Sequence, residues 1–369
     1  MPGILSELES IGQTRVRERK DFPGSKLRIS TIMMRLPKFD YRVPREIAEA
    51  VKIMAGSGPE GQFVAGGTDL YPNMKRRQQT PRTVISVMRV PELNQISGDG
   101  RSGIRIGASV TLTDIVEHPL INRDYPVVAH AARTISTPIL RNMGTIGGNL
   151  LLDTRCNYYD QNYEWRKGIN FCLKKDGDVC WVAPGSSKCW AVQSSDLVPV
   201  MVAIGAKFRL ASTLGERMID AAGFYNDDGI DYLKKRPDEL LVDIHLPTLN
   251  GWRASYQKLR RRGAFDFPVL GVAAFIQMES DDIRTGSGSD RVSRVKDARI
   301  VLGGIAPSPL NIAEAATALI GQPLDNDHIQ AAAEAAYVRA RPLDNTDFVM
   351  NWRKQMARQY TLRALQDLR

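Results

Sequence analysis

Two pairs of adjacent glycines, each placed where the hydrophobic pattern breaks, constrain this chain more than any other feature. The first lies in Val64-Ala65-Gly66-Gly67-Thr68-Asp69-Leu70, after Gln62-Phe63-Val64-Ala65, a short apolar run that predicts a buried strand. Glycines at that point let backbone amides approach an anion without obstruction from a Cβ, and Thr68 adds a hydroxyl donor. The second pair lies in Gly144-Thr145-Ile146-Gly147-Gly148-Asn149, another turn rich in amides that also carries a side-chain amide. Neither has the spacing of a G-x-G-x-x-G or Walker loop. One Gly-Gly-Thr-Asp turn alone is only a tight loop, whereas two such turns can clasp one pyrophosphate.

The pattern around the turns predicts a mixed α/β region. Residues 1–32 show no sustained apolar period and read as a flexible or partner-binding extension, with a domain starting near Leu36-Pro37-Lys38-Phe39-Asp40-Tyr41. Helical spacing runs from Pro44 to Met54, strands are expected at Thr83 to Val87 and Ile104 to Ala108, and Thr111-Leu112-Thr113-Asp114 has helix-start character. Tyr125 to Met143 favours helix, with Pro138 marking a break or a first turn. Beyond about residue 220 the texture becomes β-rich, with strands expected at Glu239 to Leu246, Val269 to Met278 and Ala298 to Leu302 and an exposed turn at Asp281 to Asp290. Helices are expected at Asn311 to Ile320, Asp327 to Arg339 and Asp347 to Leu368. With no internal repeat, a second α+β domain is the simplest account.

Composition narrows the classes. The net charge is +9, but Lys and Arg are scattered among acids rather than gathered in one tract, so a nucleic-acid role is not expected; a basic surface equally suits an acidic partner protein. No run approaches the length of a membrane span and no secretory h-region is seen, so a cytoplasmic protein is expected. His118, His130, His245 and His328 are dispersed, with no nucleophile motif beside them, and no catalytic acid or base is assigned. Met33-Met34 reads as a start region or as packing.

The two glycine turns together resemble the FAD-binding domain of the xanthine dehydrogenase and carbon monoxide dehydrogenase flavoproteins, a family of molybdenum hydroxylase subunits. The resemblance runs from about Leu36 to the C-terminus through Ile106-Gly107-Ala108-Ser109, Ser195-Asp196-Leu197, Glu239-Leu240-Leu241 and Tyr256-Gln257-Lys258-Leu259. It implies an α+β fold. A two-subdomain FAD-binding region of the vanillyl-alcohol oxidase type, here 33–245, would precede a C-terminal domain, 246–369, of a three-stranded antiparallel sheet and a helical bundle. It further implies that Val64 to Leu70, Ser109 and Thr145 to Asn149 hold FAD, with both loops on the diphosphate. Asp196 would bind the adenosine ribose, and Leu240 or Leu241 and Lys258 would lie near the adenine or isoalloxazine. From the residues alone, Ser195-Asp196 also reads as a helix cap before Leu197 to Val202, and Lys258 as a solvated strand residue.

All four cysteines, Cys156, Cys172, Cys180 and Cys189, fall inside the segment 153–193, where the family passes almost directly from its Gly-Gly-Asn-Leu turn to Ser-Asp-Leu. Disulfides are disfavoured in a reducing cytoplasm, and structural zinc normally brings a close C-x₂₋₄-C pair that this segment lacks. Four thiolates around a [4Fe-4S] cluster fit the wide spacing better, with Trp165, Phe171, Trp181 and Trp190 as an apolar cover; zinc and unligated or disulfide-linked cysteines stay open as alternatives. The spacing, including Cys180-Trp181-Val182-Ala183-Pro184-Gly185, resembles the additional [4Fe-4S] loop of 4-hydroxybenzoyl-CoA reductase flavoproteins.

The resemblance implies an FAD and [4Fe-4S] electron-transfer subunit. Molybdopterin would sit on a large partner subunit and two [2Fe-2S] clusters on a small one, with ferredoxin or another carrier outside, in a dimer of heterotrimers that dehydroxylates 4-hydroxybenzoyl-CoA. Competing readings are an oxidative molybdenum hydroxylase for another aromatic or heterocyclic substrate, a non-catalytic assembly protein with a zinc-stabilised loop, and a dinucleotide dehydrogenase acting alone, for which no nicotinamide fingerprint is evident.

Overall fold

Short apolar strands separated by helices build a parallel sheet first, because parallel neighbours need a crossover and the sequence supplies helices at those points. The computed structural model describes residues 34–279 and 293–369. The expected extension 1–32, Met33 and the turn at 281–290 lie outside the described residues, while Met34 is exposed. Strands β1 (Asp40–Arg42), β2 (Gly61–Val64) and β3 (Thr83–Ser86) lie in the order β1-β3-β2, all parallel, with α1 (Ile47–Ser57) and α2 (Leu70–Lys75) as the crossovers. The apolar period expected at Pro44 to Met54 is α1, which buries Ala50, Val51 and Met54.

The second subdomain is an antiparallel sheet with helices on one side. Its strands β4 (Ile96–Gly98), β5 (Ile104–Gly107), β6 (Lys207–Ser212), β7 (Gly215–Asp220) and β8 (Leu240–Leu246) take the order β4-β5-β8-β6-β7. Between β5 and β6 run α3 (Leu112–Glu117), α4 (Pro119–Asp124), α5 (Pro126–Thr134), α6 (Pro138–Arg141), α7 (Ile146–Leu150), α8 (Tyr163–Gly168) and α9 (Leu197–Ile204), and α10 (Ala221–Phe224) precedes β8. Thr111 and Asp114 form a reciprocal capping box at the start of α3. The helix expected over Tyr125 to Met143 is two, α5 and α6, because Ser136 turns into the left-handed region at φ 50° and Pro138 begins α6. Ile106, Val128, Met201, Phe208 and Ile244 belong to the core between helices and sheet.

The C-terminal domain carries four strands rather than the three the family implied. Strands β9 (Trp252–Leu259), β10 (Leu270–Met278) and β11 (Val295–Gly303) are joined at one edge by β12 (Leu310–Asn311), where Leu310 pairs with Leu302, giving the antiparallel order β12-β11-β10-β9. Helices α11 (Ala313–Leu319), α12 (Asn326–Arg339) and α13 (Met350–Gln366) follow, and Val272, Ile300, Leu319, Ala332, Ala336 and Leu365 share one core. The buried Arg353 of α13 donates to the carbonyls of Val269, Gly304 and Leu343, tying the last helix to the sheet end. Among the described residues no helix is long and apolar enough to cross a membrane.

Candidate functional site

A cleft of about 760 Å³ opens where the parallel sheet, the helix turn 144–149 and β8 converge. It is lined by Val64 to Leu70, Ser109, Thr145, Gly147, Gly148, Asn149, Asp196, Leu240 and Leu241, so the structure brings nearly all the expected residues to one place; Ile146 and Lys258 are not among its lining. The Gly66-Gly67 turn could hold no other residue: a Cβ at Gly66 would lie 1.6 Å from the Met143 carbonyl oxygen, and Gly67 has φ +70° with a Cβ position 2.2 Å from the Tyr71 ring. Gly66 therefore packs directly on the second turn. Among the described residues, the amides of Gly66, Gly67, Thr68 and Asp69 donate to no other backbone group, which leaves them free to meet an anion.

The second turn differs from its expected form. Thr145 to Leu150 is not an open loop but the cap and body of α7, with the Thr145 hydroxyl accepting from the Gly148 amide at 3.1 Å. Two more of its amides are also used, Ile146 N donating to Val110 O at 3.0 Å and Gly147 N to Ala108 O at 2.9 Å. The glycine at 147 serves packing, since a Cβ there would stand 2.7 Å from that of Ala108. What the turn offers the cleft is Asn149, whose Oδ1 accepts from the Ser195 hydroxyl at 2.6 Å, leaving its NH₂ as a donor.

That contact explains the Ser195-Asp196 segment. The Ser195 hydroxyl accepts from the amides of Leu197 and Val198 at 3.2 and 3.1 Å and so caps α9, whereas Asp196 makes no side-chain cap. The Asp196 carboxylate turns inward, accepting from Tyr256 Oη at 2.8 Å and from Lys258 Nζ at 2.9 Å, and Lys258 also donates to Thr134 O at 3.0 Å. Both charged side chains are 3% exposed. Lys258 is thus no solvated strand residue, and its ammonium is occupied by Asp196 instead of facing the cleft.

Residues with no sequence pattern complete the walls. Asp231, Tyr232, Leu233 and Lys235 come from the irregular segment before β8, and Phe265, Asp266 and Phe267 from the connection between β9 and β10. Burial pushes the Lys235 ammonium down to about 8. The Ser109 hydroxyl is buried with no partner, a donor aimed at nothing in the protein. Asp69 is enclosed by the cleft walls, and burial pushes its carboxyl up to about 6 against the pull of Arg155. Arg155 reaches Asp69 and Asp160 at 3.3 Å each and stacks over the Phe267 ring at 4.0 Å.

The segment 153–193 starts in the cleft wall and leads to a second, much smaller cavity. Cys156, Cys172, Cys180 and Cys189 are all buried and unpaired, and all four line this one space of about 10 Å³. Among the described residues no group of three or more His, Cys, Asp or Glu side chains is placed to hold a single metal ion. Burial pushes the thiols of Cys156 and Cys189 up to about 12 and about 11, so without a metal they stay protonated. The apolar cover also differs from expectation. Of the four aromatics named for it only Trp181 lines the cavity, joined by Tyr158, Tyr159 and Val182; Trp165 packs on Tyr158 and is 41% exposed, Phe171 meets Tyr163, and Trp190 lies under the Lys188 ammonium.

Comparison with known proteins gives two family matches in sequence order: the FAD binding domain in molybdopterin dehydrogenase over residues 37–249, and the CO dehydrogenase flavoprotein C-terminal domain over 254–368. The chain is 28% identical to the carbon monoxide dehydrogenase medium chain of Hydrogenophaga pseudoflava, covering 89% of this chain and 96% of that one. It is 32% identical to the aldehyde oxidoreductase FAD-binding subunit of Escherichia coli (strain K12), over 84% and 93% of the two chains. The solved carbon monoxide dehydrogenase of Hydrogenophaga pseudoflava superposes with a TM-score of 0.71 at 27% identity, covering 90% of this chain and 98% of that one.

Proposed function

Since the chain belongs to the family of FAD-binding domains in molybdopterin dehydrogenases, being an oxidoreductase subunit that binds FAD in a molybdenum hydroxylase or dehydrogenase complex, we propose that it is the member that also holds a [4Fe-4S] cluster. The observation that carries this reading is the convergence of all four cysteines, buried and unpaired, on one cavity whose supporting segment begins in the cleft wall. A donor set of four soft sulfurs suits a cluster, and the space of about 10 Å³ that the four cysteines line has to widen to admit one. When bound, FAD exchanges electrons singly or in pairs and a four-iron cluster one at a time, which together make a relay.

The chain's own residues take the following parts. The free amides of Gly66 to Asp69 and the Thr68 hydroxyl would meet the diphosphate, with Thr145 and Asn149 opposite and Val64, Ala65 and Leu70 shaping the wall. The orphaned Ser109 hydroxyl supplies a further donor, and Leu240 and Leu241 give an apolar face for a ring. Ile146 would act from behind, holding α7, while Asp196 would take part from the cleft wall itself, where its carboxylate also ties the start of α9 to β9. Cys156, Cys172, Cys180 and Cys189 would ligate the cluster. The partners that complete this reading are a molybdopterin large subunit, a small subunit with two [2Fe-2S] clusters and ferredoxin or a similar carrier, in a cytoplasmic dimer of heterotrimers.

For the complex as a whole, the cysteine loop favours reductive dehydroxylation of 4-hydroxybenzoyl-CoA. The names of the relatives, which act on carbon monoxide or aldehydes, favour an oxidative reaction instead, and activity of the purified complex with 4-hydroxybenzoyl-CoA and a low-potential donor separates the two. The defining test is iron, sulfide and flavin content, measured anaerobically for the wild type and Cys172→Ala. Flavin with about four iron and four sulfide per chain, the iron lost in the variant, is expected. Flavin without iron, or zinc in its place, refutes the cluster.

A further inference from the structure

We propose that the buried ion pair Asp153–Lys174, which forms the wall between the cleft and the cysteine cavity, biases where an electron resides between the two; the inference rests on the cluster reading above. Asp153 lines the cleft and not the cysteine cavity, and Lys174 the reverse. Their side chains are 8% and 7% exposed, with Lys174 Nζ 2.8 Å from Asp153 Oδ1. The other two ammonium protons are also used, by Thr154 Oγ1 at 2.8 Å and Gly229 O at 2.6 Å. The ammonium has all three donors satisfied and is fixed in place.

The carboxylate is held just as firmly. Its Oδ2 accepts from Tyr159 Oη at 2.9 Å and from Gln79 Nε2 at 3.1 Å, and Tyr159 is itself a lining residue of the cysteine cavity. The Tyr159 backbone oxygen accepts from Gln78 Nε2 at 2.6 Å. The ammonium also lies 4.9 Å from the Tyr159 ring and 5.2 Å from that of Tyr232, a residue of the cleft wall. A continuous set of hydrogen bonds and ring contacts therefore spans the partition, and its charges are ordered, positive toward the cysteines and negative toward the cleft.

A pair of opposite fixed charges in a buried wall acts as a dipole, and low local polarity keeps its field from being screened. Added negative charge is stabilised beside Lys174 and destabilised beside Asp153. An electron is thereby held toward the cysteine side. The carboxylate of Asp153 also limits how far the ammonium's field reaches, so the two residues have opposite effects on the cysteine side. Lys174 and Asp153 are on this account positioning residues that set the partition without touching a reacting atom.

The test uses the complete complex with its partner subunits, purified anaerobically. A redox titration would follow the cluster by electron paramagnetic resonance and the flavin by absorbance in the wild type, Lys174→Met and Asp153→Asn, after iron and flavin have been quantified in each. Lys174→Met is expected to move the electron partition about tenfold away from the cluster, which for a one-electron couple is about 59 mV. Asp153→Asn is expected to raise the cluster potential. A loss of packing would not reverse the sign between the two variants. If both variants move the cluster potential in the same direction, or neither moves it with cofactor content intact, the bias is refuted while the cluster reading stands. A wild type with flavin and no iron refutes the cluster reading first and this inference with it. Should the single variants fail to fold, Lys174→Met/Asp153→Leu leaves no unpaired charge and is expected to show the Lys174→Met direction; an unchanged partition there refutes the bias.

Discussion

Replacing Lys258 by Met removes one partner of the buried pair that joins α9 to β9. In the wild type the Asp196 carboxylate accepts from Lys258 Nζ at 2.9 Å and Tyr256 Oη at 2.8 Å, with both charged side chains only 3% exposed. Methionine fills similar space but leaves the carboxylate with the tyrosine and the Thr134 hydroxyl at 3.5 Å. Removing one member of a buried pair typically costs about 3–5 kcal/mol. Unfolding entropies of about 2.1 cal/mol/K per residue, summed over a unit of this size, turn that into a fall in melting temperature of about 6 °C. The sign with pH follows from Asp196, whose carboxyl burial already raises and which rises further without the ammonium. A raised carboxyl pKa means that the native state binds the proton more tightly than the unfolded chain, so the variant recovers stability as pH falls toward 5 and loses it as pH rises through the folded pKa. Denaturant unfolding of wild type and variant at pH 5 and pH 8, with bound flavin counted in each, measures this. If Lys258→Met unfolds with the wild type at both pH values but has shed its flavin, the lysine faces the cofactor and the buried-pair argument is wrong.

Gly66→Ala has no room, because its Cβ would meet the backbone of Met143 at 1.6 Å and force the two cleft loops apart. The expected outcome is a loss of about 3 kcal/mol by denaturant unfolding together with loss of bound flavin, whereas Gly263→Ala, with nothing within 4 Å, changes neither. Asp69, with its carboxyl pushed up to about 6 inside the cleft, is neutral below that pH and negative above it. FAD affinity, followed by fluorescence quenching, should fall as pH rises from 5 to 7.5, and Asp69→Asn should flatten the profile; an unchanged profile places the carboxylate away from the diphosphate.

The parts of the site legible in the sequence were those whose chemistry is local. Gly66-Gly67 announces itself because the strand before it is apolar and the turn needs positive φ, and four cysteines confined to one segment of a long chain point to a shared task. Long-range contacts carried no such mark. Ser195-Asp196 reads as a helix cap from its neighbours, and the Ser195 hydroxyl is that cap, but nothing local marks that Asp196 is claimed by Lys258 and Tyr256 from another domain. Gly147-Gly148 read as a loop because glycine is rare inside helices, but Gly147 is required by the close approach of Ala108, which periodicity cannot reveal. The 231–235 and 265–267 walls have no apolar period at all, so only the fold identifies them.

The position of the cysteine segment explains how the flavoprotein fold accommodates it. Arg155 and Val192 exchange backbone hydrogen bonds at 2.9 and 2.8 Å, so the segment leaves and re-enters the fold at adjacent points. Closing a loop whose ends are already paired costs little more as it lengthens, and the surrounding sheets need not change to admit it. A loop held only at its base would let the cysteines wander, but this one is fastened from three sides. Gln78 of the first subdomain bonds Tyr159 O, Gly229 of the second donates its amide to Cys189 O at 2.9 Å, and Asn345 of the C-terminal domain accepts from Asn157 N and donates to Trp190 O. Each anchor lies at or next to a cysteine or a lining residue of the cavity. The backbone that carries the four cysteines is consequently held from all three parts of the fold, so these anchors keep their cavity beside the cleft while the side chains part to admit what they bind.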